Sequence, residues 1–222
     1  MKAEKMQKLV IVGGGSLGCE TAWLIEEMIK DGARVAIAGF VDDSTVKQGK
    51  KIAGYKVLGP VSWLKGKSRE CNAVMAMGHP PNKIKIAKLL ESYGVELFSV
   101  VHPDAIIGKG SVIGKGSIIF PQVALSVNVK IGNCVLLNPG ITISHDVVIG
   151  ECCLVGSGVH IAGKVVVGRN CEIGTGTNII PEIRIGAGAV VGAGAVVVRD
   201  LPAGVVAVGV PAKPIKKIRG RK

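Results

Sequence analysis

Aromatic residues are scarce in this sequence of 222 residues, and they are unevenly distributed. Seven are present, and only Phe120 lies beyond residue 100, whereas 20 of the 32 glycines do. The first hundred residues can therefore build an ordinary mixed core, while the rest must form a core from Val, Ile, Leu and Ala. A chain of this length with such a shift in composition predicts two domains.

The sequence also lacks zinc-type cysteine pairs and long apolar runs, and we expect no secretory signal. The six cysteines show no Cys-x-x-Cys spacing, and the opening segment "MKAEKMQKLVIVGGG" passes directly into a predicted strand. No apolar run reaches the ~20 residues that a membrane helix needs. We therefore expect a cytoplasmic protein with reduced thiols, no metal site and no membrane insertion.

Acidic residues are outnumbered, because 28 Lys and Arg against 16 Asp and Glu give a net charge of +12. Six of the last ten residues, "KPIKKIRGRK", are basic. Nucleic acid is a poor candidate partner, since this segment has no aromatic side chains for base stacking and no evident recognition helix. Two interpretations stay open: a solvated tail, and attraction of a polyanionic small molecule such as coenzyme A or a nucleotide.

The strongest signal after residue 100 is a six-residue period. Sixteen consecutive positions of this period are aliphatic, and a glycine follows nine of them. The period fits neither a helix nor an alternating strand. It is typical of a solenoid in which three hexapeptides close a triangular coil of 18 residues. We predict an all-β left-handed parallel β-helix over residues 101–200. The aliphatic positions are Ile107, Ile113, Ile119, Leu125, Ile131, Leu137, Ile143, Ile149, Val155, Ile161, Val167, Ile173, Ile179, Ile185, Val191 and Val197.

Residues 18 apart should occupy the same place on successive coils, about 4.8 Å from each other. This spacing predicts which side chains are neighbours without further information. Cys153 and Cys171 fall on small inward positions, so packing explains the presence of cysteine there better than redox chemistry does. The predicted stacks include His145 with Gly163, Cys134 with Cys152, and Cys153 with Cys171.

His145 and Asp146 interrupt the apolar pattern in the segment "GITISHDVVIGE". They follow an aliphatic position by two and three residues, so we expect them at a corner where both side chains can face outward. A carboxylate beside an imidazole fixes its tautomer and raises its basicity, as a general base requires. Gly163 would leave room for a ligand and a backbone N–H that could meet a developing oxyanion. An exposed polar pair without function is the alternative interpretation.

The segment "KLVIVGGGSLG" predicts a buried strand and a glycine-rich turn, followed by a helix from Cys19 to about Lys30. The turn matches G-x-G-x-x-G, and two acids end the next strand, "ARVAIAGFVDD". Such a unit indicates a Rossmann-like α/β domain over residues 1–100, whose turn can hold phosphates and whose acid can bind a ribose or base. Plain strand-to-helix packing is the alternative, and the small size favours a mononucleotide over NAD. The residues concerned are Gly13, Gly15, Gly18, Asp42 and Asp43.

The rest of this domain is predicted to contain a third strand from Asn72 to Met77 and a helix over residues 82–94. His79 lies in the intervening loop, and we interpret it as a loop residue rather than a catalyst. The segment "VELFSVVHP" then leads into the solenoid.

Six segments carry a resemblance to a known family: "VGGGSLG", "GFVDD", "GYKVLGP", "SVVHPDAIIGKGSVIG", "NPGITISHDVVIGE" and "AVVVRDLPAGVVAVGVPAKPI". In this order they resemble the sugar O/N-acyltransferases of the NeuD/PglD type, over nearly the whole chain. The resemblance implies an enzyme that uses acetyl-CoA to acetylate a nucleotide-linked amino sugar or sialic acid for surface glycans. It also implies a homotrimer that binds coenzyme A in the groove between two solenoids, with active sites shared across the subunit interfaces.

The resemblance assigns roles to individual residues as well. His145 matches the general base and Asp146 the acid that orients it. Gly163 matches the glycine whose amide faces the thioester carbonyl, and Asn138 an asparagine near the base. The nucleotide-sugar pocket is matched by Gly13, Gly15, Asp42 and Asp43.

Two positions depart from the family pattern. Leu17 and Leu154 stand where family members often have a histidine close to the sugar acceptor. The loss of two polar contacts should change the acceptor, whereas the base, its acid and the thioester side are retained. We therefore predict acyl transfer with His145 as the general base. Residues 201–222 are predicted to form a basic C-terminal extension, whose role is open.

Three rival functions can be weighed from the sequence. A non-catalytic binding or scaffold protein is the main alternative, because of the two leucines. A solenoid carbonic anhydrase needs three histidines around zinc, and the spacing of His102, His145 and His160 makes that hard to achieve. A dehydrogenase rests on the glycine pattern alone and leaves the coils unexplained.

Overall fold

The computed structural model describes residues 6–218. Its first part is an α/β domain, and the elements are β1 (Gln7–Val12), α1 (Ser16–Lys30), β2 (Val35–Val41), β3 (Lys51–Ile52), β4 (Tyr55–Gly59), β5 (Asn72–Met75) and α2 (Pro80–Ser92). The strands form one sheet in the order β3-β4-β2-β1-β5. All neighbours are parallel except β3 and β4, which are antiparallel. This arrangement confirms the Rossmann-like prediction.

The element boundaries differ from the predicted ones by two or three residues. Helix α1 begins at Ser16 rather than Cys19, because Gly15 already serves as its N-cap. Helix α2 begins at Pro80, since a proline fits the first turn of a helix, where its missing N–H has no partner to lose. Strands β3 and β4 were not predicted, because short strands interrupted by glycine give almost no periodicity.

The second part is a solenoid whose strands form three parallel faces of a triangular prism. The first face contains β7 (Ile106–Ile107), β10 (Ala124–Leu125), β13 (Thr142–Ile143), β16 (His160–Ile161), β19 (Asn178–Ile179) and β22 (Val196–Val197). The second face contains β8 (Val112–Ile113), β11 (Lys130–Ile131), β14 (Val148–Ile149), β17 (Val166–Val167) and β20 (Arg184–Ile185). The third face contains β6 (Val100–Val101), β9 (Ile118–Ile119), β12 (Leu136–Leu137), β15 (Leu154–Val155), β18 (Glu172–Ile173), β21 (Val190–Val191), β23 (Val205–Val208) and β24 (Lys213–Lys217).

The strand register confirms the predicted period and the predicted β-helix. Every aliphatic position of the six-residue repeat is the second residue of a two-residue strand, and Leu125 pairs with Ile143 exactly one coil of 18 residues away. From Ile119 onward these side chains are buried in one continuous apolar cluster along the prism, and Ile113 packs against it. Ile107, at the end of the prism, is 38% exposed, because no earlier coil of the first face covers it. The ladder is thus stabilised by burial between neighbouring coils.

The α/β domain packs against the third face. Leu24 and Phe40 share an apolar cluster with Ile118, Phe120 and Leu136. Helix α2 contributes to a second cluster that includes side chains of the adjoining corner. The edge of the prism where the first and second faces meet therefore lies on the side away from the α/β domain.

The C-terminal segment continues the third face beyond residue 200, the predicted domain boundary. Strand β23 is parallel to β21, and β24 turns back to pair antiparallel with β23. All five residues of β24 are exposed. The described part of the basic extension is therefore a β-hairpin attached to the sheet and not a detached tail, while Arg219, Arg221 and Lys222 lie outside the described residues.

Candidate active site

His145 and Asp146 stand together at the corner between the first and second faces, which we call the His145 corner (Ser144–Asp146). Asp146 has a φ of +59°, in the left-handed region, and this turn lets two successive side chains face outward. The His145 Nδ1 atom lies 2.9 Å from Asp146 Oδ2, and the two side chains are 50% and 47% exposed. The predicted imidazole–carboxylate pair is therefore present.

Asp146 is held by residues of the neighbouring coils. The Asn128 side-chain amide donates to Asp146 Oδ1 over 3.2 Å, from one coil earlier. The hydrogen bond with His145 lowers the pKa of Asp146 most, and the Asn128 bond and the charge of Lys164 act in the same direction. An ionised Asp146 keeps the imidazole proton on Nδ1 and leaves the lone pair of Nε2 available as a base. Asn128 was not predicted, although the 18-residue spacing to Asp146 was the signal.

Gly163 lies directly against the imidazole, as the stacking predicted. A Cβ on Gly163 would be 2.6 Å from His145 Nε2, so the ring itself fills the space that a side chain would take. The expectation that this space is open for a ligand is wrong. The Gly163 N–H, however, has no acceptor among residues 6–218, whereas the next N–H, of Lys164, donates to the His145 carbonyl over 2.9 Å. A free amide donor next to a general base can stabilise an oxyanion.

A shallow groove runs along the outer side of the first face and reaches the His145 corner. Its volume is about 660 Å³, and its wall includes Ile106, Ala124, Thr142, Ser144 and His160. The wall is largely apolar, with a hydrogen bond of 2.7 Å between Thr142 Oγ1 and His160 Nδ1. Such a surface suits a flexible, mostly apolar chain that ends near Nε2 of His145.

The glycine-rich turn lies at the carboxyl end of β1, and its glycines serve different purposes. Gly13 has a φ of +105°, and a Cβ there would lie 2.8 Å from the Ala76 carbonyl oxygen. Gly15 has a φ of −87°, caps helix α1, and has open space where a Cβ would project. Gly13 is therefore required by the backbone, while Gly15 leaves the positive end of the helix accessible to an anion.

The two acids that end β2 already have partners within the chain. Asp42 accepts from the backbone N–H of Gly14 over 2.7 Å and of Ser44 over 2.9 Å, and it pairs with Lys47 at 2.8 Å. Burial opposes ionisation of Asp42, but the hydrogen bonds from Lys47 and the two amides outweigh it and lower its pKa. Asp43 accepts from the Val61 N–H over 2.8 Å. Both carboxylates thus hold the loops around the turn, and their contact with a nucleotide stays a prediction.

Comparison with known proteins agrees with this arrangement. Residues 8–90 match the PglD N-terminal domain family. A GDP-perosamine N-acetyltransferase of Escherichia coli O157:H7 is 34% identical over 124 residues, which is 55% of this chain and 55% of that protein, so the match spans about half of the curated relative.

Solved structures match over nearly the whole chain. PerB from Caulobacter crescentus, in complex with CoA and GDP-perosamine, has a TM-score of 0.85 at 30% identity, covering 95% of this chain and 98% of that one. The acetyltransferase domain of PglB from Neisseria gonorrhoeae FA1090, in complex with acetyl coenzyme A, has a TM-score of 0.86 at 30% identity, covering 94% and 99%. The chain belongs to the NeuD/PglD-type sugar O/N-acyltransferases.

The structure separates the predicted site residues into two groups. His145, Asp146 and Gly163 lie together at one corner of the prism, whereas the glycine turn lies in the α/β domain, on the third face. Asn138 follows β12 of the third face, at a different corner from His145. A single chain therefore does not bring the base, Asn138 and the predicted nucleotide pocket together.

The two leucines that depart from the pattern of these acyltransferases both lie where the α/β domain packs against the solenoid. Leu17, in the first turn of α1, and Leu154, on the third face, both pack against the apolar cluster between the α/β domain and the solenoid. A Cβ on Gly78, after β5, would be 3.4 Å from the Leu154 side chain. Both replacements thus make the surface around the glycine turn more apolar, and neither touches the His145 corner.

The histidines proposed for a zinc site do not converge. His102 is buried with its ring 5.6 Å from that of Trp23, His160 lies on the first face and His145 at its corner. Within residues 6–218, no three His, Cys, Asp or Glu side chains are grouped so that they could hold a metal ion. In the same range, none of the helices has both the length and the apolar composition to cross a bilayer.

Proposed function

We propose that this chain transfers the acetyl group of acetyl-CoA to the amine of a nucleotide-linked amino sugar, with His145 as the general base. The observation that carries the proposal is the joint placement of the His145–Asp146 pair and the unpaired Gly163 N–H at one corner. The curated relative named GDP-perosamine N-acetyltransferase, and the PerB structure with CoA and GDP-perosamine bound, support an amine acceptor and a nucleoside diphosphate sugar.

The proposed reaction is a direct transfer without a covalent enzyme intermediate. The amine nitrogen attacks the thioester carbonyl carbon while Nε2 of His145 takes its proton. Asp146 stabilises the imidazolium that forms, and the Gly163 N–H donates to the oxyanion. The carbon–sulfur bond then breaks, and the coenzyme A thiolate leaves. The apolar groove on the first face would hold the pantetheine arm of coenzyme A. The net positive charge of the chain would attract the phosphates of coenzyme A.

We propose further that the working unit is a homotrimer with each active site shared between two subunits. The glycine turn lies with the α/β domain on the third face, whereas the His145 corner lies on the opposite edge of the same prism. A sugar held at the turn of one chain would therefore meet the imidazole of another chain. If three prisms pack around a three-fold axis, each glycine turn would face the His145 corner of a neighbouring chain, so the three sites would be equivalent.

We propose that the enzyme acts in the cytoplasm, on sugars destined for surface glycans. Five of the six cysteines are buried, and within residues 6–218 none is joined in a disulfide, which is typical of a reducing compartment. A nucleotide-linked amino sugar is an activated donor, and acetylation of its amine would precede its use in glycan assembly.

Replacement of the base is the direct test of the proposed chemistry. His145→Ala should lower kcat for acetyl transfer to GDP-perosamine by about 10²-fold or more, because the amine loses its proton acceptor. Thiol release from acetyl-CoA measures the rate, and unchanged calorimetric binding of acetyl-CoA shows that the groove is intact. Near-parental turnover in this variant would remove His145 from the mechanism.

A complementation experiment tests the shared site. Gly15→Asp places a carboxylate where a phosphate would bind, yet aspartate is a favoured N-cap and the space around Gly15 is open, so the fold should persist. We expect Gly15→Asp and His145→Ala to be inactive alone. Coexpressed in mixed trimers, they should recover roughly one quarter of the parental sites, since each site needs an intact half from each of two chains. A mixture as inactive as its components would place the whole site within one chain.

A further inference from the structure

Two pairs of stacked cysteines lie side by side in the solenoid. Cys134 and Cys152 are 18 residues apart at the corner between the second and third faces, and Cys153 and Cys171 have the same spacing one residue further along. The register of β12 with β15 and of β15 with β18 confirms that both pairs are stacked on successive coils. The same geometry therefore occurs twice in different surroundings.

Cys134 and Cys152 have almost identical backbone conformations. Their φ values are +56° and +58°, so their side chains leave the corner in the same direction. Neighbouring coils are about 4.8 Å apart, within the range of about 4.4 to 6.8 Å that separates the Cα atoms of disulfide-bonded cysteines. A hydrogen bond between the two thiols raises the pKa of Cys134 and lowers the pKa of Cys152. The two thiols thus lie close enough to affect each other's ionisation.

This pair forms part of the wall of a groove between helix α2 and the solenoid. The groove has a volume of about 710 Å³, and its other walls include Ala87, Glu91, Leu97, Glu151 and Arg169. Cys134 and Cys152 are 4% and 7% exposed and both contribute to the wall, whereas Cys153 and Cys171 are fully buried and do not. A small molecule in this groove would meet the first pair only.

A buried lysine lies behind the same corner. Lys83 of α2 is 2% exposed, and its Nζ donates to the carbonyl oxygens of Cys134 over 3.0 Å and of Cys153 over 3.2 Å. Its positive charge acts with the thiol–thiol hydrogen bond to lower the pKa of Cys152. A cysteine with a nearby cation is the kind that reacts as a thiolate.

We propose that Cys134 and Cys152 form a dithiol modification site that takes small disulfides from the groove and closes to an intramolecular disulfide. The Cys152 thiolate attacks one sulfur of the small disulfide, which forms a mixed disulfide on Cys152 and releases one small thiol. Cys134 then loses its proton and attacks the Cys152 sulfur, which forms the Cys134–Cys152 bond and releases the second small thiol. Two protein thiols are oxidised, and one small disulfide is reduced to two thiols.

The second pair shows what cysteines used only for packing look like in this fold. The thiol of Cys153 donates to the Gly168 carbonyl over 3.1 Å, and that of Cys171 to the Gly186 carbonyl over 3.2 Å, inside the apolar core. Neither thiol faces the groove. Cys153 and Cys171 are therefore an internal control: a stacked cysteine pair that a small molecule in the groove cannot reach.

Oxidised glutathione is the probe for this site, added to the native full-length protein. Free thiols are blocked with a light alkylating reagent, and the oxidised ones are reduced and labelled with a heavy one. Mass spectrometry should then find heavy label on Cys134 and Cys152 together, at a rate about tenfold or more above that of Cys153 and Cys171. No glutathione adduct should persist at either position. Equal labelling of the two pairs, no labelling of the first pair, or a lasting adduct on Cys152 would each overturn the proposal.

Two matched variants separate the steps. In Cys134→Ser the mixed disulfide should accumulate on Cys152, because the resolving thiol is missing. Cys153→Ser should still form the Cys134–Cys152 disulfide at the parental rate. Thermal unfolding of each variant confirms that it is folded, and a Cys134→Ser protein that takes no glutathione would contradict the assignment of Cys152 as the attacking thiol.

Discussion

The solenoid and the α/β domain differ in how their residues acquire neighbours. In the solenoid, each side chain meets the one 18 residues away, so His145 lies against Gly163 and Asn128 against Asp146. In the α/β domain, neighbouring side chains come from distant elements with no fixed spacing in the sequence. Asp42, for example, accepts a hydrogen bond from the backbone N–H of Gly14. A repeated coil turns sequence distance into spatial contact, whereas a crossover fold does not.

The same contrast applies to glycine. Gly163 has an ordinary backbone and is small because an imidazole occupies its side-chain position, while Gly13 has a φ of +105° beside the Ala76 carbonyl. The first glycine accommodates a functional side chain and the second a backbone turn. Substitutions at these two positions should therefore affect different properties, activity in one case and stability in the other.

The largest effect that sharpens this contrast is expected for Gly163→Ala. The added methyl would overlap Nε2 of His145, so the half-exposed ring must rotate away from its productive position. We expect kcat to fall by about tenfold or more, with little loss of stability, because the ring can turn into solvent. In a His145→Ala background the same substitution should have almost no further effect on kcat. Additive losses would show that Gly163 acts independently of the imidazole.

A second comparison uses the two glycines of the turn. Gly13→Ala should lower the free energy of unfolding by about 1–3 kcal/mol, because alanine is strained at that φ and meets the Ala76 oxygen. Gly15→Ala should cost less, about 0.5–1 kcal/mol, because alanine is a poorer N-cap than glycine but the φ is ordinary and the surroundings are open. Urea unfolding at one protein concentration measures both. A larger loss for Gly15→Ala would reverse the assignment of their roles.

An effect that depends on pH is expected at Lys83, where the α/β domain meets the solenoid. Burial lowers its pKa to about 8, below the value of about 10.4 for an unfolded chain. Below pH 8 both states are protonated, and between pH 8 and about 10.4 the unfolded state binds more protons, so this group adds stability as the pH rises. Relative to Lys83→Met, the parent should gain about 1 kcal/mol per pH unit in that interval.

Urea unfolding of the parent and Lys83→Met from pH 7.5 to pH 10 provides the measurement. A constant difference between the two proteins would mean that Lys83 titrates normally when folded. Lys88→Met, which alters a lysine of the same helix, is the matched control for the change of residue type.

Prediction from sequence therefore succeeded to different degrees in the two parts. The period alone was enough for the β-helix, the stacked pairs and the placement of His145 at a corner, while its role as a base stays a prediction. It could not show that the imidazole fills the space at Gly163, because that depends on a side-chain rotation. In the α/β domain the strand–turn–helix unit was predicted, but β3, β4 and the partners of Asp42 and Asp43 were not, since local residues do not specify them.

The arrangement of aliphatic residues by itself determined a three-faced coil and the residues that stack along it, because inward side chains must recur once per face to be buried. Only the tertiary structure decided that the α/β domain covers the third face, opposite His145. That choice depends on apolar surfaces such as Phe40 and Leu136 meeting across about a hundred residues of chain. It also created the groove at Cys134 and Cys152, which needs helix α2 as its second wall.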